Sequence, residues 1–254
     1  MPDSAQPIGF VTVTYGDATA EGADGARALS AQSPVFADDV VKTAGPGSAV
    51  EIKFTDGALL SQGPNSTTVL DTYVFDPDQS TGEMAVKLLQ GTFRSVTGEI
   101  VDMNPEGFKL ETPMATIGIR GTTTGHTVLP DGREMHAVVD FVDRPVVIRP
   151  ASGGAIRVVS QDGMGVSASR GGLSVAFHAT QSQLKAFEQL SSQSLQRGAP
   201  SFDVQEAEQE AEEAAKEAAD KEQAAEEAAE DASEAQEVAQ DAAAAADAAA
   251  AAAA

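Results

Sequence analysis

The chain of 254 residues contains no cysteine and no tryptophan, and only two of its residues are tyrosine. Without cysteine there is no disulfide bond, no thiolate nucleophile and no cysteine-ligated metal. No run of about 18 apolar residues is present, so no transmembrane helix is expected. The first residues lack the basic and apolar regions of a secretory signal. Three expectations stay open: a cytosolic protein, export without a cleaved signal, or numbering that begins after one.

The formal net charge of −23 is concentrated near the C-terminal end. Residues 1–200 carry 22 acidic and 14 basic side chains, a net charge of −8, whereas residues 201–254 carry 17 acidic and 2 basic side chains, a net charge of −15. A negative field of this kind repels nucleic acids and anionic membrane surfaces, because both are polyanions. We therefore expect no nucleic-acid partner. The lack of a long apolar run separately predicts no membrane span.

Short alternating runs of apolar and polar residues dominate the sequence from Val35 to Phe177. In one of them Val50, Ile52 and Phe54 share a face and Glu51 and Lys53 lie on the other. Turn dipeptides recur between the runs, a spacing typical of meandering short strands. The sequence therefore predicts an all-β fold, a compact β-roll or solenoid-like sandwich of short strands.

The two ends of the β region have different compositions. Ile8–Tyr15 alternates and is predicted to be the first strand, while the segment 17–33, rich in Ala, Gly and Asp, is predicted to be a loop. After Thr180 the apolar spacing lengthens to three, three and five, which predicts one amphipathic helix stopped by the Gly-Ala-Pro at 198–200. The helix positions that form this stripe are Leu184, Phe187, Leu190 and Leu195.

Residues 201–254 form a low-complexity segment of alanine and glutamate. Both residues favour helix, but the segment lacks the large apolar seam of a coiled coil. We expect a solvated single helix, with an alanine-lined helical pairing and disorder as the alternatives. The predicted organisation is a β domain over residues 1–178, an amphipathic helix and linker over 179–200, and an acidic tail over 201–254.

Two histidines flank the turn Pro130-Asp131-Gly132. A hairpin centred on Asp131 places His126 opposite His136, close enough to share a metal ion. A metal site needs three or four ligands and no third is apparent nearby, so we expect two exposed strand histidines. His178 is expected to lie at the surface.

A second possible metal site involves Asp76, Asp78 and Glu83, whose oxygens are the ligands that calcium prefers. Counted from Asp76, the next glycine falls at position seven and the glutamate at position eight, whereas the EF-hand loop requires positions six and twelve. We therefore expect an ordinary turn, with calcium as a weak alternative. The sequence also lacks a Gly-x-Ser-x-Gly nucleophile elbow and a phosphate-binding loop, so we expect neither an enzyme nor a cofactor.

A run of motifs begins at Lys42 and ends in the segment 112–122. The segment reads Thr-Pro-Met-Ala-Thr-Ile-Gly-Ile-Arg-Gly-Thr and resembles the TP-x-A-x-x-G-[IV]-RGT signature of the FecR domain family. Its matching positions are Thr112, Pro113, Ala115, Gly118, Ile119, Arg120, Gly121 and Thr122. None of them is a nucleophile, a base or a metal ligand. The alternation predicts a structural strand, in which Arg120 donates to the carbonyls of a neighbouring turn.

The resemblance implies a non-catalytic protein of the bacterial envelope. Members of the family include sensors between an outer-membrane receptor and a sigma factor, and also exported proteins that carry low-complexity tails. We expect a binding or assembly module with an unknown protein partner, in the periplasm or outside the cell. A regulator in FecR-type signal transduction and a polysaccharide or small-molecule binding domain are the alternatives.

Overall fold

The computed structural model describes residues 6–200, which form a mostly β structure with a few short helices. Its first eight strands are β1 (Gly9–Gly22), β2 (Gly25–Ala28), β3 (Pro34–Val35), β4 (Val40–Phe54), β5 (Leu59–Gln62), β6 (Thr67–Asp76), β7 (Thr81–Val96) and β8 (Phe108–Glu111). The next eight are β9 (Ala115–Gly118), β10 (Thr123–Val128), β11 (Glu134–Asp140), β12 (Val146–Pro150), β13 (Arg157–Val159), β14 (Met164–Ser169), β15 (Gly172–Leu173) and β16 (Phe177–His178). The helices are α1 (Ile100–Met103), α2 (Gln181–Gln189) and α3 (Ser192–Leu195).

Four strands close into a small barrel at the centre of the fold. Strand β4 pairs with β5 and β6, and β7 pairs with the same two strands from the other side. The further strands extend outward from this ring. The all-β prediction is therefore confirmed at the level of fold class, but a β-roll or solenoid-like sandwich is too simple a description, because sequence alternation does not reveal that β4 and β7 share two partners.

Two sheets leave the barrel from the long strand β7. The C-terminal half of β7 pairs with β10, which leads through β11 to β14. Its N-terminal half pairs in parallel with β8, which leads through β9 and β12 to β13. Side chains from β12 and β13 face those of β10 and β11 across a shared interior. The sheet β8–β9–β12–β13 is therefore folded over the hairpin β10–β11, which carries His126 and His136 and which we call the histidine hairpin.

Helix α2 covers the other face of β10 and β11. Phe187 of α2 is fully buried and packs with Met135 and Ala137 of β11. Opposite it on β10 is Gly125, where an added Cβ would lie 2.2 Å from the Phe187 ring. The absence of a side chain at Gly125 is what allows α2 to approach. Strand β10 is consequently buried on both faces along its whole length.

The helical segment differs from the prediction in having a break. Thr180 caps α2 in a capping box with Gln183, but the helix ends at Gln189 and Ser191 caps a second short helix, α3. The serine at 191 competes for backbone hydrogen bonds and restarts the helix. Leu190 and Leu195 are fully buried, in contact with Ala49 of β4. Within residues 6–200, no helix combines the length and the apolar composition that a membrane crossing requires.

The N-terminal segment contains more strand than its composition suggests. Strand β1 extends to Gly22 and turns through Ala23 and Asp24 into β2, so the predicted loop over 17–33 is wrong for much of its length. Its small residues pair with β4, with Asp17 opposite Ala44 and Glu21 opposite Val40. The pairing partner supplies the stability that strand propensity does not. The predicted tail, residues 201–254, lies outside the described residues.

Candidate functional site

A chain of buried polar side chains runs between the two sheets. Ser95 Oγ lies 2.8 Å from Thr124 Oγ1, which lies 2.8 Å from His126 Nε2. The two imidazoles meet through their Nδ1 atoms at 3.2 Å, and His136 Nε2 lies 3.2 Å from Glu134 Oε2. All five side chains are buried. We call these five residues the histidine network.

With both imidazoles neutral, these contacts allow a single order of protons along the histidine network. The Glu134 carboxylate only accepts hydrogen bonds, so His136 donates from Nε2 and presents a bare Nδ1 to His126. His126 then donates from Nδ1, and its Nε2 accepts from the Thr124 hydroxyl. In this order the two imidazoles are opposite tautomers, and every donor is directed toward Glu134.

The surroundings of His126 favour its neutral form. Burial lowers the pKa of His126 well below its ordinary value of 6.5, and the neighbouring His136 lowers it further. Val146, Ile148 and Val159 close the network from the facing sheet, and the space that remains does not admit a water-sized molecule. The expectation of two exposed histidines is therefore wrong, although the predicted register, His126 opposite His136, is confirmed.

The histidine network connects directly to the signature segment through Glu134. Glu134 Oε1 accepts from the backbone N–H of Met114 at 2.9 Å, and Oε2 accepts from the Thr112 hydroxyl. Thr112 Oγ1 in turn accepts from the N–H of Ala115 at 3.0 Å. The bend at Thr112-Pro113, in which Pro113 is exposed, is thus fixed by a buried carboxylate that comes some twenty residues later in the chain.

The remaining signature residues fall into two groups. Ala115, Ile117 and Ile119 are buried, so the alternation of the strand places one set of side chains inward. Thr116 and Gly118 therefore face outward. An added Cβ at Gly118 would come no closer than 3.9 Å to any neighbour, the carbonyl oxygen of Val147. The fold therefore has space for a side chain at position 118, and glycine there leaves the outer face of β9 uncovered.

The bend after β9 is held by polar contacts. Arg120 forms an ion pair with Glu106, so the arginine binds a carboxylate rather than the turn carbonyls that the sequence suggested. Gly121 has a φ of +104°, a conformation that favours glycine. Thr122 is buried and donates to the carbonyl oxygen of Arg144 at 3.2 Å. These contacts direct the chain from β9 into β10.

The weak calcium alternative gains no further ligand from the fold. Asp76 Oδ1 accepts from the backbone N–H of Gln79 at 3.1 Å, the side-chain-to-backbone bond of an ordinary turn. Glu83 lies 3.9 Å from the ammonium group of Lys109, and no contact joins Asp78 to either acid among the residues described. Over residues 6–200, no group of three or more histidine and acidic side chains is arranged to hold a metal ion.

A second buried carboxylate, Glu51, was not identified from the sequence. It accepts from Thr12 Oγ1 at 2.7 Å, from Ser61 Oγ at 3.1 Å and from Ser192 Oγ at 2.6 Å. The alternation of β4 correctly places Glu51 on the other face of the strand from Val50 and Ile52, but α3 covers that face. The serines at 191 and 192 are a signal of helix capping, and nothing local connects them with Glu51.

One surface of the described fold is left open by this packing. The outer face of β9, β12 and β13 carries Val158, which is 55% exposed, and Ile156, which is 50% exposed and lies just before β13. Val158 is paired with Val147, and Ile156 and the exposed Arg149 each lie one residue beyond the last pair of the two strands, Ile148 with Arg157. Gly118, Arg149, Ile156 and Val158 form a shallow surface, which we call the β13 surface.

Comparison with known proteins assigns the central part of this fold. Residues 39–140 match the model of a family described as FecR protein, so the chain contains a FecR domain that includes the barrel and the histidine hairpin. Two crystal structures of a putative anti-sigma factor from Parabacteroides distasonis, at 1.65 Å and 2.50 Å resolution, each align at 13% identity, with TM-scores of 0.43 and 0.44. The alignments cover 58% and 59% of this chain and 63% and 64% of those chains, less than two thirds of their length. A search of curated proteins found no significant match.

Proposed function

We propose that this FecR-domain chain is a non-catalytic binding module that joins a protein partner in an assembly of the bacterial envelope or outside the cell. The observation that carries the proposal is the β13 surface, where Ile156 and Val158 are half exposed beside an unpaired strand edge. Exposed apolar side chains at a sheet edge are typical of sites where another chain binds.

The interior of the domain supports the same proposal. The histidines of the hairpin and the buried Glu134 and Glu51 are all engaged in hydrogen bonds with one another or with hydroxyl groups. Around the histidine network there is no room for a substrate. The residue types that carry acid–base chemistry therefore hold the fold together, and the open part of the molecule is a surface.

Two other functions are distinguishable from this one by the identity of what binds. A regulator in FecR-type signal transduction has a sigma factor or a receptor as its partner. A polysaccharide-binding domain needs several exposed aromatic faces, and here Tyr73 stacks on Phe54, Tyr15 packs against the cluster of Leu190 and Leu195, and Phe10 is the aromatic residue of residues 6–200 with a large exposed fraction, 43%. This arrangement favours a protein partner over a sugar.

Site-specific photocrosslinking in cells that make the protein tests the proposal. A photoreactive residue placed at Thr116 samples the β13 surface, and the same residue at Val74 and at Lys185 samples the barrel and α2. We expect a crosslink to a protein from at least one position, and recovery of the adduct from the periplasmic or extracellular fraction. Absence of protein crosslinks from all three positions, or recovery from the cytosol alone, would contradict it.

A further inference from the structure

We propose that the free edge of β13 binds an extended, acidic segment of another protein, which adds to the sheet as one further strand. The inference rests on the proposed function of a protein-binding module and specifies its surface and the chemistry of its partner. It is carried by three observations: the unpaired edge, the exposed apolar side chains beside it, and a local excess of positive charge.

The outer side of β13 has no strand partner within residues 6–200. Strand β13 pairs with β12 through Val146–Val159, Val147–Val158 and Ile148–Arg157, and no strand of residues 6–200 pairs with its other side. Proteins commonly block such edges with charged side chains that point outward. The charged residue of β13, Arg157, instead donates to the carbonyl oxygens of Ser174 and Leu173, at 2.7 Å and 3.2 Å. No backbone hydrogen bond within residues 6–200 joins that side of β13 to another strand.

Another exposed edge in the described fold is a poorer binding surface. Strand β2 carries only glycine, alanine and Arg27, and Arg27 is held in an ion pair with the buried Asp39. The turn leading into it contains Asp24, and Glu21 lies opposite Ala26. That edge offers no large apolar side chain, whereas Ile156 and Val158 offer two.

The charge around β13 indicates an acidic partner. The stretch 143–188 contains three acidic residues, Asp143, Asp162 and Glu188, in a chain with a net charge of −23. The same stretch contains five basic residues: Arg144, Arg149, Arg157, Arg170 and Lys185. Arg149 is exposed on the β13 surface, and no carboxylate of residues 6–200 is within ion-pair distance of it. A carboxylate on the partner would give this arginine a bidentate acceptor.

The register specifies the pattern that the partner needs. Neighbouring strands lie about 4.8 Å apart, and residues two apart on a strand share a face. An apolar residue beside Val158 and a glutamate beside Ile156 would therefore be two positions apart on the added strand. The glutamate then extends over Ile156 toward Arg149.

A second copy of the chain fits this edge less well than an acidic segment. A symmetric pairing of β13 with β13 sets the same patch against itself. The β13 surface of each copy carries no carboxylate for the Arg149 of the other copy. Charge complementarity therefore favours a different, acidic chain.

Peptide binding measured by fluorescence anisotropy on the full chain tests the inference. The probe is a labelled nine-residue peptide with valine and glutamate alternating on one face and threonine on the other, and its control carries lysine for glutamate. We expect Val158→Glu and Arg149→Glu each to weaken binding of the acidic peptide at least tenfold. The matched controls Val74→Glu, at a 43% exposed valine of β6, and Lys53→Glu, at an exposed lysine of β4, should change it less than twofold.

Hydrogen exchange gives a readout that does not depend on the label. Saturating peptide should slow exchange in β13 and leave β2 unchanged. Equal binding of the lysine peptide, undiminished binding by Val158→Glu, absence of binding at millimolar peptide, or a homodimer dissociated by Val158→Glu would each overturn the inference. In the crosslinking experiment, a protein captured only from Val74 or Lys185 would overturn it while leaving the proposed function intact.

Discussion

The buried imidazole of His126 predicts that the domain loses stability when the pH falls below about 6.5. The folded state holds the pKa of His126 well below its ordinary value, because of burial and because His136 lies beside it. In the unfolded chain His126 takes up a proton at its ordinary pKa, whereas in the folded chain it stays neutral at that pH. The stabilisation is therefore fully present above that pKa and is lost as the pH falls.

The size of the loss follows from the same linkage. A histidine that stays neutral in the folded state costs up to about 1.4 kcal/mol of unfolding free energy per pH unit below its unfolded pKa. Integrated from pH 7 to pH 5, the largest loss due to His126 is about 2 kcal/mol. His136 and Glu134 face it within the network, and Arg94 lies on the neighbouring strand, paired with Gly125.

Urea unfolding at a series of pH values measures this loss. His126→Gln removes the titrating group and keeps an amide that can donate and accept, so the fall in unfolding free energy between pH 7 and pH 5 should shrink by up to about 2 kcal/mol. His178→Gln, at the exposed histidine of β16, is the control and should leave the pH dependence unchanged. Burial raises the pKa of Asp56, so its contribution to the unfolding free energy is lost as the pH rises. Because Asp56 is present in every variant, this contribution cancels when the variants are compared. Identical pH profiles for the wild type and His126→Gln would refute the reasoning.

Three further predictions concern the network and the packing around it. Long-range proton–nitrogen correlation spectra at pH 7.5 should show the proton of His126 on Nδ1 and that of His136 on Nε2, and the reverse assignment would contradict the proton order. Gly125→Ala should lower the unfolding free energy by about 1–3 kcal/mol, because the methyl group collides with Phe187, whereas Gly118→Ala should change it by less than about 1 kcal/mol. A chain ending at residue 180 should lose several kcal/mol relative to one ending at residue 200, since each buried apolar side chain of the helices contributes about 1.5–3 kcal/mol, and equal melting temperatures would show that the helices are dispensable.

Sequence alternation located most of the strands and the register of the histidine hairpin, because both depend on local patterns. The period of two puts Val50 and Ile52 on one face, and the turn at Asp131 fixes which residues are opposite. The burial of Ala115, Ile117 and Ile119 follows from the same rule. These features need no knowledge of distant partners.

Burial of the polar face could not be read in the same way. His126 and Glu51 lie on faces that look exposed by alternation, and they are covered by β12 with β13 and by α3. Whether a second layer covers a strand depends on tertiary packing. A signal was present in β10, whose residues Thr123–Val128 include no lysine, arginine or acid, a composition typical of a strand buried on both faces.

The contacts of α3 with strands β1 and β4 form late in the synthesis of the chain. Tyr15 Oη donates to the carbonyl oxygen of Leu195 at 2.7 Å across 180 residues of sequence, and Ser192 reaches Glu51 across 141. Contacts at such separations are slow to form. At a synthesis rate of about 5–20 residues per second, Glu51 waits roughly 7–30 s for its helical cover to be made. During that interval the nascent domain exposes the Glu51 carboxylate and the apolar residues that α3 later covers. Chaperones and proteases can therefore bind a surface that is buried in the finished protein.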